Sequence, residues 1–218
     1  MAKRRLYRKV YQKGKGRRRL IFVFKVFALC LFLLISGVSF LFFYYGRDLP
    51  QPEDFNEREL FQSTKIYDRT GKVLLYEIYG EEKRTWVDLE KIPDLLKNAV
   101  IATEDKNFYR HPGVDIKSVI RAIMIDLKLG QPIQGGSTIT QQLIRSSFLS
   151  RQKTIKRKTR EVILALELAH KYSKDQILEW YLNQIPLGSN CYGVESASET
   201  FFKKSVSDLS LSEAATLA

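Results

Sequence analysis

Apolar residues along this chain follow three different spacings, and each predicts a different element. From Val26 to Tyr45 the run VFALCLFLLISGVSFLFFYY carries no charge. At about 1.5 Å of rise per residue, a helix of that length spans roughly 30 Å, the thickness of a bilayer's hydrocarbon core. A retained transmembrane helix is expected over residues 20–45. A cleaved signal would have an apolar core of about 7–15 residues followed by small residues. This run is longer and ends in Phe-Phe-Tyr-Tyr, rings suited to the membrane interface. Residues 46–62 open with GRDLPQPEDFN, polar and twice interrupted by proline, and read as a linker.

Lys65–Tyr79 (KIYDRTGKVLLYEIY) places β-prone residues on either side of Asp-Arg-Thr-Gly, the pattern of a hairpin. Beyond it the spacing becomes helical. Apolar positions at Leu95, Leu96, Ala99, Val100 and Ala102 predict a helix over Asp94–Thr103. Asp115 is placed to cap a second helix with Ile116, Val119, Ile120, Ile123 and Leu127 on one face and Gly130 past its end. A third is expected to start near Ser137. A long one follows from Thr154 to Tyr172, with Ile155, Val162, Leu166 and Ala169 along one stripe. Ser173-x-x-Gln176 is a capping box opening a helix over Lys174–Asn183, and Ser210-x-x-Glu213 repeats the device before AATLA. Residues 63–218 thus read as one mainly α domain with a small β element. The chain ends at Ala218 inside an apolar helical run, so it reads as a C-terminally truncated protein or partial domain.

Charge changes the picture once it is mapped. The net charge of +12 resembles that of a nucleic-acid binder. Ten Lys/Arg and no acid lie in residues 1–19, however, and Lys25 adds an eleventh. All 24 acids follow residue 47, so 25 basic residues oppose them from Gly46 onward. The basicity belongs to the tail, and nucleic acid is excluded as the expected partner. Positive flanks stay in the cytoplasm, which puts residues 1–19 inside and the domain outside. Anionic lipid head groups would add to the tail's attraction. The two cysteines, Cys30 in the apolar run and Cys191 far beyond it, predict no disulfide.

Three stretches carry candidate chemistry. Glu104 stands where the apolar run Ala99–Ala102 meets polar sequence. A carboxylate at such an edge can be desolvated, which suits a general base; the plain alternative is a solvated Glu-Asp pair. Gln134-Gly135-Gly136-Ser137-Thr138-Ile139-Thr140-Gln141-Gln142 sets two glycines and hydroxyl residues before a helix, where free N–H groups can meet an anion. An ordinary N-cap would look the same. Between Asp126 and Glu161 there is no acid, but there are Lys128, Arg145, Arg151, Lys153, Lys156, Arg157, Lys158 and Arg160. Such a cluster suits a diphosphate, unless it is merely a solvated face. His111 and His170, the only histidines, form no ligand spacing with Cys191 and are expected to be structural.

Together these segments resemble the peptidoglycan glycosyltransferases, the family of class A penicillin-binding proteins and monofunctional transglycosylases. The resemblance rests on Glu104-Asp105-x-x-Phe108-x-x-His111-x-Gly113, then Gly135-x-Ser137-Thr138-Ile139-Thr140-Gln141-Gln142, then Arg157-Lys158-x-x-Glu161, then Lys174-x-x-Ile177-Leu178-x-x-Tyr181-Leu182-Asn183, in that order. Tyr192–Ala197 and LSLSEAATLA extend it. The chain departs at Lys203-Lys204, where similar proteins place a glycine before the lysine, and at Ser189-Asn190-Cys191, where a second glycine is common. The hairpin looks closer to the bifunctional class A proteins than to the monofunctional ones.

The resemblance implies a lysozyme-like helical lobe and a second, membrane-proximal lobe. It implies inverting, processive transfer of lipid II onto a growing glycan strand with release of undecaprenyl diphosphate. Glu104 would be the base and Glu161 a second catalytic carboxylate. Asp105, Phe108, His111, Ser137, Thr138, Gln141, Arg145, Lys153, Arg157, Lys158, Arg160 and Asn183 would contact substrate. It requires no cofactor, although it allows a divalent Mg or Mn ion, and it implies partners in a cell-wall synthesis complex. A lytic enzyme acting on finished wall and a non-catalytic membrane-anchored scaffold are the rival readings.

Overall fold

The computed structural model describes residues 2–45, 64–72, 74–78, 83–131, 135–149, 152 and 154–218. The expected linker lies outside the described residues, as does Lys153. The chain divides into two units, Met1–Arg47 and Asp48–Ala218.

The first unit is one helix, α1 (Ala2–Tyr45). It starts in the basic tail, well before the apolar run. Its segment Leu20–Tyr44 is long and apolar enough to cross a membrane, with a mean hydropathy of 2.7. Phe40 and Tyr44, one turn apart, stack their rings near its end.

The second unit opens with the expected hairpin, β1 (Thr64–Tyr67) antiparallel to β2 (Leu74–Ile78). Asp68 makes the turn: its carbonyl accepts from Gly71 N–H at 2.9 Å and its carboxylate from Thr70 and Lys72. β3 (Lys83–Arg84) pairs in parallel with β4 (Cys191–Tyr192), tying the start of the unit to a loop more than a hundred residues later.

Seven helices make up the rest of the described fold. They are α2 (Asp94–Glu104), α3 (Ile116–Leu129), α4 (Ile139–Phe148), α5 (Ile155–Lys171), α6 (Lys174–Gln184), α7 (Val194–Phe202) and α8 (Leu211–Leu217). Their caps follow from sequence. Asp115 accepts from Ser118 N–H, and Ser173 and Ser210 each complete a capping box with the Gln or Glu three residues on. The third helix starts where expected, near Ser137: Thr138 is the N-cap of α4, in a box with Gln141.

The core forms where α4 packs against both α5 and α6 and where α2 meets α8. Leu143, Ile144, Leu164, Leu168, Ile177 and Leu182 are fully enclosed there. Burying each such side chain contributes roughly 1.5–3 kcal/mol. Two apolar stripes differ from expectation. On α5 the buried positions are Glu161, Leu164, Ala165 and Leu168, while Ile155 is 78 % exposed. The core-facing stripe includes a carboxylate, which the hydrophobic spacing hides. On α3, Ile116, Ile120, Met124 and Leu127 are all exposed, and among the side chains described there only Ala122 is buried. Its apolar face turns away from the core.

Candidate active site

The site grows from the C-terminal end of α2. Glu104 is the last helical residue and is exposed, so the fold does not desolvate it. Asp105 follows in extended backbone and turns inward, where it is buried. Its carboxylate accepts from His111 Nε2 at 2.9 Å and from the Ile139 backbone N–H at 3.1 Å. Because His111 Nδ1 accepts from Gly113 N–H, Nε2 is the ring's donor. Asp105 therefore pins the first motif to the N-terminus of α4, where a negative charge also meets the helix dipole favourably.

Thr138 makes a second pin between the same parts. It caps α4 through Gln141 N–H, and its hydroxyl donates to the Gly113 carbonyl at 2.6 Å. Gly113 has φ +98° and lies directly against α5: an added Cβ would sit 2.3 Å from the Ala165 carbonyl oxygen. Only glycine fits that approach.

Between the pins opens a cleft of about 370 Å³, lined by Glu104, Asp105, Lys106, Asp115, Arg121 and the irregular segment 135–138, among others. Asp115 closes one wall. Hydrogen bonds from Asn107 at 3.0 Å and from the Ser118 hydroxyl at 2.7 Å hold its carboxyl well below the usual carboxylate range. Arg121 donates to the Ser118 hydroxyl from the same helix.

The third motif approaches from α5. Glu161 is wholly buried and both its oxygens are engaged, Oε2 by Arg157 at 3.2 Å and Oε1 by Lys158. Lys158 Nζ also donates to the Ser137 hydroxyl at 2.8 Å, so this carboxylate is linked to the lip of the cleft through a lysine. A divalent cation does not fit here. Two side-chain cations already occupy the carboxylate, and the described residues hold no cluster of three His, Cys, Asp or Glu.

Several residues expected to touch substrate are buried and bonded within the protein. Phe108 is fully buried, and Lys174 Nζ sits 4.7 Å from its ring centroid. Burial pulls the Lys174 ammonium down, an effect the nearby Asp105 charge partly opposes. His111 is bonded to Asp105, and Gln141 Oε1 to the Thr138 N–H of the cap, while Gln141 Nε2 is buried without a partner. Asn183 is buried, with its amide bonded to the N–H and carbonyl of Val87. His111, Gln141 and Asn183 each hold backbone in place, a role indistinguishable by spacing from ligand contact. Glu104, Asp105, Ser137 and Thr138 do meet at the cleft. Arg145 is exposed in the last turn of α4, Arg160 is half-buried on α5, and His170 is exposed near the end of that helix.

Gln142 belongs to the second motif, where its amide suits sugars or phosphates, but it was not among the residues expected to contact substrate. Its Nε2 donates to Glu104 Oε2 at 2.7 Å, and its Oε1 accepts a long 3.4 Å bond from the Tyr181 hydroxyl. A signal existed: a Thr-x-x-Gln capping box consumes the first glutamine and leaves the second free.

The fold and site together define a mainly α domain with an exposed glutamate beside a glycine-rich helix entry. The sequence model of the family described as Transglycosylase matches residues 71–218, and the chain belongs to that family. It is 41 % identical over 196 residues to penicillin-binding protein 1A of Aquifex aeolicus, covering 90 % of this chain and 27 % of that protein. Against penicillin-binding protein 1A/1B of Bacillus subtilis the identity is 42 % over 211 residues, covering 95 % and 23 %. Penicillin-binding protein 1F of the same organism is 47 % identical over 159 residues, covering 73 % and 22 %. The chain spans about a quarter of the length of these curated relatives.

Proposed function

We propose that this domain is a peptidoglycan glycosyltransferase that polymerises lipid II into glycan strands by inverting transfer. The observation that carries the reading is the exposed Glu104 carboxylate on the same cleft as the N-terminal approach to α4. The carboxylate is placed to take a proton; Asp105 already fills the helix terminus, so the positive charge at this lip comes from Lys158, bonded to Ser137. In the reaction, Glu104 removes the proton from the acceptor's 4-hydroxyl as that oxygen attacks the anomeric carbon of the growing strand. The bond to undecaprenyl diphosphate breaks and the diphosphate leaves with the electron pair. Arg145, Arg160 and Lys153 supply positive charge for it, while Glu161 holds Arg157 and Lys158 in place beside Ser137.

A lipid-borne substrate is consistent with two further features. Leu20–Tyr44 would cross the cytoplasmic membrane with the basic tail inside, leaving the domain on the outer side. On α3, the exposed Ile116, Ile120, Met124 and Leu127 are interspersed with Lys117, Arg121 and Lys128, the composition of a helix that lies in a membrane interface.

The test is polymerisation of lipid II by the detergent-solubilised protein beside Glu104→Gln. Polymer from the first and none from a folded second is expected. Near-wild-type turnover by the variant would remove Glu104 from this role, and release of fragments from finished wall would replace synthesis with lysis.

A further inference from the structure

Every hydrogen bond to Glu104 matters if it is the base, and the structure records one from a side chain outside its own motif. Resting on the proposed reading of Glu104, we infer that Gln142 and Tyr181 form a positioning pair that holds Glu104 Oε2 and leaves Oε1 as the oxygen that takes the proton.

The argument begins at the buried end. Tyr181 lies on α6 and is 1 % exposed. Burial pushes its phenol well above the usual range, and the negative charge of Glu104 pushes it further, against a smaller opposing effect of Arg145. The hydroxyl therefore keeps its proton and has one to donate. A carboxylate oxygen only accepts, so Gln142 must present Nε2 to Glu104 Oε2, 2.7 Å away, and its Oε1 then faces Tyr181, whose hydroxyl donates to it at 3.4 Å. The orientation of the amide is thus set by the carboxylate and backed by the buried tyrosine.

At Glu104 the donated N–H occupies one carboxylate oxygen, Oε2. Oε1 has no recorded partner among the described residues, and Glu104 lines the cleft, so the proton arrives at Oε1. The acceptor's O–H bond breaks, an Oε1–H bond forms, and the freed electron pair makes the new glycosidic bond while the diphosphate departs. Throughout, Gln142 keeps Oε2 fixed, which aims the carboxyl plane.

Gln142 is suited to this because of its place in the turn. Thr138 at the N-cap engages Gln141, three residues on, while the Gln142 backbone N–H bonds the Thr138 carbonyl. Gln142 is thereby locked at the first full turn with its side chain free to reach across to the end of α2.

The experiment measures kcat and KM for lipid II polymerisation by the full chain, comparing wild type with Gln142→Met, Tyr181→Phe and Glu104→Gln. Gln142→Met is expected to lower kcat by about tenfold or more with KM little changed, because the base loses its aim while the substrate contacts remain. Tyr181→Phe, which frees the amide to rotate, is expected to lower kcat by less. An unchanged kcat in folded Gln142→Met, or a rise in KM that accounts for the whole loss, would overturn the inference while leaving Glu104 as base. Near-wild-type turnover in Glu104→Gln would overturn the underlying reading instead. Should Gln142→Met fail to fold, Tyr181→Phe decides alone by the same criterion.

Discussion

Gly113→Ala isolates the contact that seats the first motif on α5. The residue has φ +98°, which an L-residue adopts at a cost of about 1–2 kcal/mol. The new Cβ would lie 2.3 Å from the Ala165 carbonyl oxygen and 2.9 Å from its carbon, inside the 3.0 Å that real Cβ atoms essentially never cross. Both atoms are helix backbone and cannot rotate away. Relief requires the loop or α5 to move, and overpacking of that kind costs roughly 1–3 kcal/mol more. The total is about 2–5 kcal/mol. Gly130→Ala is the matched control. Gly130 also has a positive φ, +70°, but nothing lies within 4 Å of the added carbon, so only the backbone cost of about 1 kcal/mol applies.

Thermal unfolding followed by tryptophan fluorescence is the assay. Trp86 and Trp180 are the only tryptophans and both lie in the second unit, so the signal excludes α1. At about 2–4 °C per kcal/mol for a domain of this size, Gly130→Ala should lower Tm by about 2–4 °C and Gly113→Ala by about 4–20 °C. Equal shifts in the two variants would refute the steric argument. Gly113→Ala should also reduce activity at temperatures where it stays folded, because the Gly113 carbonyl receives the Thr138 hydroxyl.

Two further predictions concern local conformation and pH. Lys203 ends α7 in the left-handed region with φ +59°, so Lys203→Gly should raise Tm by about 1–4 °C, and a fall would show that the lysine side chain makes an offsetting contact. The carboxyls of Asp115 and Glu213 are both depressed, the first by Asn107 and Ser118, the second to about 2 by Lys204 and Ser210. Groups lowered on folding stabilise the fold above the unfolded value near 4 and lose that contribution as pH falls through the folded one. Tm should therefore be flat above about pH 5 and fall below about pH 4, with a shallower fall in Asp115→Asn; a Tm that rises on acidification would contradict both assignments.

Much of this architecture could be read from the chain. Caps were legible because they depend on residues three apart: Asp115 with Ser118, Ser173 with Gln176, Ser210 with Glu213. The hairpin followed from four turn residues. What failed had tertiary causes. Glu161 occupies the buried stripe of α5 because Arg157 and Lys158 neutralise it there, and no hydrophobic periodicity registers a paired charge. The apolar residues of α3 were spaced like a core face, but spacing cannot say whether the neighbour is protein. The candidate site was legible as motifs and less so as roles. Phe108, His111, Gln141 and Asn183 were grouped with ligand contacts, although their partners lie in the protein at positions as distant as Val87. The Gly188–Tyr192 loop illustrates the same limit. Ser189 and Asn190 both take positive φ, of 47° and 57°, at a place where glycine had been expected to be common, and the chain absorbs that strain.

The two pins around the cleft also bear on how such a domain can change over time. Asp105 with Ile139, and Gly113 with Thr138, close the chain on itself at both ends of the segment that contains α3. That segment leaves and re-enters the fold at fixed points, as an inserted cassette would. Its length and outer composition can drift, or be exchanged for those of a relative adapted to a different envelope, without moving Glu104 or the entry to α4. Lengthening a closed loop costs little, about 0.6 kcal/mol for each doubling. Diversification is therefore cheapest on the outer face of α3, and a library varying Ile116, Ile120, Met124 and Leu127 while keeping both pins, Ser118, Arg121 and Ala122 is where new lipid preferences would be sought first.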